Sequence, residues 1–173
     1  MTKQNKLFKF ILIFGSSLLL WFLSYEFYLK PKTIPDRYLT NVLTRSVCVI
    51  IEATGKTCHY KDARTPGDTY IFIAPRERQV IRIGNSCNGL ELFVLFILFI
   101  VAYPGKWSYK IPFIFAGLGL IYIINSFRTY WLTIMAYYKY PHYDLFHRYI
   151  FIVLVYGIVF GLWMMWANTY SKK

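Results

Sequence analysis

Apolar residues fall into four blocks along this chain, and the breaks between them are polar, basic or rich in proline and glycine. The first block starts at Leu7 and continues through Trp21, Phe22, Leu23, Tyr25 and Tyr28, and Lys30-Pro31-Lys32 ends it. A run of this length predicts a membrane helix over residues 7–28. Its basic N-terminal flank looks like a secretory signal, but no small-x-small cleavage site follows, so the helix is expected to stay uncleaved. The second block, Leu90 to Tyr103, is short for a span. Gly89 and Glu91 can sit among the headgroups, and Asn88-x-x-Glu91 has the form of a capping box. After Pro104-Gly105-Lys106 comes the third block, Ile111 to Tyr138, which carries Asn125 and Arg128. A polar loop, Lys139 to Phe146, precedes His147-Arg148 and the fourth block, Tyr149 to Ala167.

Residues 29–88 have a different pattern. Within Tyr38 to Ala53, Leu39, Val42, Leu43, Val47, Ile50 and Ile51 recur at helical spacing, while Arg37, Arg45 and Glu52 lie elsewhere. That predicts an amphipathic helix lying on the membrane surface. Gly55 to Gly67 reads as loop. Thr69 to Ala74 and Gln79 to Ile83, rich in Ile, Val and Tyr and separated by Pro75-Arg76-Glu77-Arg78, predict a β-hairpin. The expected fold class is an all-α membrane protein of about four transmembrane helices, with an outer-face segment containing an amphipathic helix and a small β-hairpin. Residues 1–28 are the N-terminal transmembrane helix, 29–88 the outer-face segment and 89–173 a three-helix transmembrane core, all within a single domain.

Composition sharpens this picture. The chain is 57% hydrophobic and 21% aromatic, with a mean hydropathy of +0.39, and its apolar residues come in blocks, which excludes an ordinary soluble domain. A net charge of +12 would suit nucleic-acid binding, but no such motif accompanies it. Much of the charge flanks apolar runs, where Lys and Arg set topology and contact anionic headgroups, so the expected partner is the lipid bilayer and not nucleic acid. Lys3, Lys6, Lys106, Lys110 and Lys172-Lys173 then put the short segments and both termini in the cytoplasm, with residues 29–88 outside. The three cysteines lack CxxC spacing, which speaks against a zinc site or a thioredoxin-type pair. No metal, nucleotide or other cofactor site is visible. Cys48, within Val47-Cys48-Val49-Ile50-Ile51, reads as packing, and pairing with Cys58 outside the membrane is the alternative.

On this topology three chemically capable residues reach one leaflet. Cys87 lies at the outer start of the second helix and His147 at the outer start of the fourth. Counted from Ile111, Arg128 lies about 25 Å along its helix, near the outer interface. Cys87 sits among Asn85, Ser86, Asn88 and Gly89 at a helix N-terminus that favours a thiolate; the plainer alternative is a packing cysteine. An arginine inside a span is a functional candidate by default, although Arg128 is close enough to the headgroups to snorkel. His142 in the polar loop is a rival to His147, and His59 in a long loop is a weaker one. Topology supplies the shared depth of these groups but not their lateral adjacency.

Taken in order, Ser86-Cys87-Asn88-Gly89-Leu90, Asn125-x-x-Arg128 and His147 resemble the exosortase/archaeosortase family of membrane-embedded cysteine transpeptidases, over residues 68–165. Asn88 stands where that family usually has serine, and many members have more spans. The resemblance implies Cys87 as nucleophile, Arg128 as oxyanion stabiliser and His147 as general acid, with Asn125, Asn88 and Gly89 in support. It also implies membrane-anchored protein substrates whose C-terminal sorting signal (a short motif, a membrane helix and a basic tail) is cut at the outer face of a bacterial or archaeal inner membrane. Two other readings compete: a non-catalytic scaffold of a secretion or envelope-polysaccharide complex, and a relative that binds sorting helices without cleaving them.

Overall fold

In the computed structural model, which describes residues 3–63, 68–74, 79–84 and 87–170, each of the four apolar blocks is helical. Helix α1 (Lys3–Ser24) runs on through a π-helical turn, Tyr25–Leu29, and a last turn, Lys30–Lys32. In the wider turn the Lys30 N–H reaches back to the Tyr25 carbonyl, which accommodates Pro31 without ending the helix. The break expected at Lys30-Pro31-Lys32 falls instead at Thr33, whose left-handed φ of 52° turns the chain into α2 (Ile34–Ala53). Helices α3 (Leu90–Ala102), α4 (Trp107–Tyr137) and α5 (Tyr143–Tyr170, with π-helical turns at Phe146–Ile150 and Trp166–Tyr170) complete the helical frame. Leu7–Lys32, Trp107–Tyr137 and Tyr143–Tyr170 are long and apolar enough to cross a membrane; α3 is a shorter apolar helix. At its length α3 covers about 20 Å, against about 30 Å of hydrocarbon. The protein is thus a helical membrane protein with three full-length candidate spans, one short apolar helix and a small sheet.

Two helix starts lie earlier than the apolar pattern suggests. Lys110, expected in a cytoplasmic turn, is inside α4, and its ammonium donates to the Val101 carbonyl at 2.7 Å. Carbonyls in the last turn of a helix lack intrahelical partners, so a cation there satisfies one of them. Helix α5 begins at Tyr143, so His147 lies within the helix and not ahead of it. In both cases polar residues at an interface were counted as loop although the backbone continues helical through them.

The chain divides into two compact units. The first comprises Met1–Lys32, Glu91–Ile121 and Tyr156–Lys173. Its packing is aromatic: Phe99 stacks on Trp163 at 4.3 Å, and Phe10 and Phe14 meet Phe99 edge-on. Gly117 allows the closest approach, since a Cβ there would sit 2.2 Å from the buried Phe96 ring.

The second unit comprises Thr33–Leu90 and Tyr122–Val155. Strands β1 (Cys58–Asp62), β2 (Thr69–Ile73) and β3 (Gln79–Ile83) form an antiparallel meander in the order β1-β2-β3. The hairpin is present, and the segment expected to be loop contributes a further strand, β1, paired with β2 from Cys58↔Ile73 to Asp62↔Thr69. The connection Pro75-Arg76-Glu77-Arg78 lies outside the described residues. On α2, Leu43, Val47, Cys48 and Ile51 form one stripe that packs with Ile71, Ile73 and Ile83 of the sheet. The apolar stripe predicted to face the membrane surface therefore has a protein partner. A small sheet and an amphipathic helix each have one face to cover, and covering each other contributes about 1.5–3 kcal/mol for every large aliphatic side chain buried. Thr69 Oγ1 donates to Asn41 Oδ1 at 3.2 Å across the same contact, and Arg82 Nε donates to the buried Asp68 carboxylate at 2.6 Å.

Cys48 is buried in this stripe and forms a disulfide with Cys58, tying α2 to β1. A bridge closing a loop of this size contributes about 2–4 kcal/mol. Denatured, unreduced protein should therefore take one maleimide label, at Cys87, and three after reduction, read by intact mass. Three labels before reduction would contradict the bridge.

Candidate active site

The site is built in the second unit, where the chain passes from β3 into α3. The Cys87 N–H donates to the Gly84 carbonyl at 2.9 Å. Gly89, buried and at a φ of 84°, turns the backbone into the helix, a conformation that favours glycine. Between them Asn88 is buried. Its Oδ1 accepts from the Leu90 N–H at 2.8 Å, and its Nδ2 donates to Asp36 Oδ1 at 2.7 Å. Asn88 thus caps α3 and anchors its start to the first turn of α2. Glu91, the other half of the expected box, is exposed in the first turn of α3, where its charge suits the helix N-terminus. Asn85 and Ser86 lie outside the described residues.

Cys87 is half-buried, stands outside the disulfide and packs against the α2–sheet core, as Tyr130 and Ile134 of α4 also do. One turn earlier on α4, Asn125 is fully buried and joins two of the candidate residues. Its Nδ2 donates to the Cys87 carbonyl at 3.0 Å, while its Oδ1 accepts from Arg128 Nη1 at 3.3 Å. The neighbouring polar side chains of α4 are satisfied within the helix: Ser126, Thr129 and Thr133 donate to the carbonyls of Tyr122, Asn125 and Thr129. Arg128 differs from them. Its Nε is buried and finds no acceptor among the described residues.

His147 enters through Tyr143. The two rings stack at 5.7 Å with an interplanar angle of 6°, one turn apart on α5. Tyr143 is half-buried, and Cys87, Asp144 and Arg128 lie within electrostatic range of its phenol. Cys87, Asn125 and Arg128 are thus joined by hydrogen bonds, and Tyr143, within electrostatic range of Cys87 and Arg128, carries His147 against its ring. Of the rival histidines, His142, next to Tyr143 in the chain, packs edge-on against Tyr140, and His59 is an exposed β1 residue opposite Phe72. Among the described residues no group of three or more His, Cys, Asp or Glu is gathered as a metal would require.

Sequence reasoning missed two members. Tyr143 falls in the segment whose polarity predicts a loop, yet its spacing of four from His147 places both on one face once α5 starts at Tyr143. Asp36 was passed over, although it is one of only eight acidic residues and lies just after the Pro35 that opens α2.

A family model described as transmembrane exosortase matches residues 5–167, and the chain belongs to that family. Comparison with curated proteins gives no match, and comparison with solved structures gives none either. The protein is an exosortase-family multi-pass membrane protein.

The two bonds of Asn88 can be separated. Asn88→Ala should destabilise the protein by about 1–3 kcal/mol, through loss of both the cap and the Asp36 contact. Asn88→Ser, which keeps a capping hydroxyl but cannot span to Asp36, should lose less. Unfolding midpoints in detergent compare them, and equal losses would assign the effect to Asp36 alone.

Proposed function

We propose that this exosortase-family protein is a cysteine peptidase and transpeptidase that cuts C-terminal sorting signals of membrane-anchored proteins at the outer membrane–water interface. The observation that carries the reading is that buried Asn125 bonds both the Cys87 carbonyl and Arg128, and the stacking of His147 on Tyr143 supports it. A disulfide between Cys48 and Cys58 in the same unit supports the outward orientation, because such bonds persist in oxidising compartments. The short lysine-bearing segments and both termini then face the cytoplasm of a bacterial or archaeal cell. Catalytic groups come from the helical core of residues 89–173, with Cys87 and Asn88 supplied by the end of the outer segment.

In this mechanism the sorting signal's own helix holds the scissile peptide at the level of Cys87. His147 takes the thiol proton, and the Cys87 thiolate attacks the carbonyl carbon. The developing oxyanion is stabilised by Arg128, whose Nε has a hydrogen bond to give. A buried guanidinium N–H without an acceptor costs about 1–3 kcal/mol, so an oxyanion arriving there recovers an existing penalty. Collapse breaks the C–N bond, His147 returns the proton to the leaving amine, and a thioester on Cys87 remains. Attack by water releases an acid; attack by a cell-surface amine or hydroxyl transfers the protein to that acceptor. Either route regenerates Cys87.

Cys87→Ala, expressed to wild-type level, should abolish processing of a co-expressed substrate that ends in a short motif, a span and a basic tail. Arg128→Ala should slow it about 10²–10³-fold, the usual cost of losing an oxyanion donor. Immunoblots of precursor and product over time read both, and unimpaired processing by Cys87→Ala would sink the proposal.

A further inference from the structure

Resting on the peptidase reading, we infer that Tyr143 is a positioning residue whose ring holds the His147 imidazole in the orientation that lets it exchange a proton with Cys87. The imidazole of a histidine has a broad, soft torsion about its last bond, so a proton carrier on a helix needs something to set its plane. Tyr143 lies one turn before His147, with its ring parallel to the imidazole to within 6°. His147 occupies the π-helical turn Phe146–Ile150, a local widening of the kind often found at functional sites.

The surroundings of Tyr143 separate this role from plain packing. Its ring stacks on His147, while Cys87, Asp144 and Arg128 lie within electrostatic range of it. Hydrogen bonding by the hydroxyl is not required for this role; the flat ring is.

The first readout uses the purified 173-residue chain in detergent and needs no substrate. The rate of Cys87 alkylation by iodoacetamide is followed against pH by mass spectrometry. If His147 assists ionisation of Cys87, His147→Ala moves the midpoint up towards the ordinary thiol value of about 8.5. Tyr143→Leu should move it in the same direction, Tyr143→Phe should leave it in place, and adding Tyr143→Leu to His147→Ala should produce no further shift. In the processing assay Tyr143→Leu should lower kcat about 10–100-fold with KM unchanged, while Tyr143→Phe stays near wild type. If Tyr143→Leu does not accumulate, Tyr143→Met, flexible and apolar but not planar, takes its place.

The inference is overturned if the leucine or methionine variant keeps the wild-type midpoint while His147→Ala shifts it. It is equally overturned if Tyr143→Phe behaves like Tyr143→Leu, since the hydroxyl would then carry the effect. Failure of the underlying peptidase reading looks different: Cys87→Ala and His147→Ala would both process substrate normally.

Discussion

One buried carboxamide connects the parts of this site. Asn125 is fully enclosed in the second unit and has a single carbonyl and a single amide with which to meet its surroundings. It uses the amide on the Cys87 backbone and the carbonyl on the Arg128 guanidinium. A fully buried polar group left without partners costs more than its bonds contribute when made, so these two contacts reinforce each other. An apolar residue in its place would leave the cysteine turn and the arginine with no direct link.

The remaining architecture holds the two sides of that link still. On the cysteine side, Asn88 caps α3 and reaches Asp36, which ties the turn to α2. Helix α2 is in turn packed on the three-stranded sheet and joined to it by the Cys48–Cys58 disulfide. On the arginine side, α4 carries Tyr130, Ile134 and Tyr137 onto the same apolar core. Cys87, on a connecting turn, is thereby supported from a sheet and two helices. Placing a site on rigid elements limits the misalignment that costs catalytic sites their rate.

The four apolar helices could be read from block length and hydropathy alone, because water excludes such runs whatever they pack against. Cys87, Arg128 and His147 were legible as candidates because a thiol among small polar residues and a charge within a span are conspicuous. Their adjacency was not legible, since it depends on which helix faces meet. The partner of α2 was also hidden: the stripe Leu43, Val47, Ile51 looks the same whether lipid or a sheet covers it, and β1 is too polar, with only Cys58 buried, to announce itself as a strand. The role of Asn88 followed from its burial against Asp36, a contact fifty-two residues away in sequence that no local pattern reveals.

The central claim is that catalysis passes through a thioester on Cys87, and hydroxylamine tests it directly. As a strong, small nucleophile it intercepts thioesters in competition with water or the natural acceptor. With a co-expressed substrate ending in a motif, a span and a basic tail, the account predicts a product carrying a hydroxamate at its new C-terminus, formed only when Cys87 is present. Cleavage that continues in hydroxylamine yet never yields the hydroxamate, or a hydroxamate formed equally by Cys87→Ala, would contradict it.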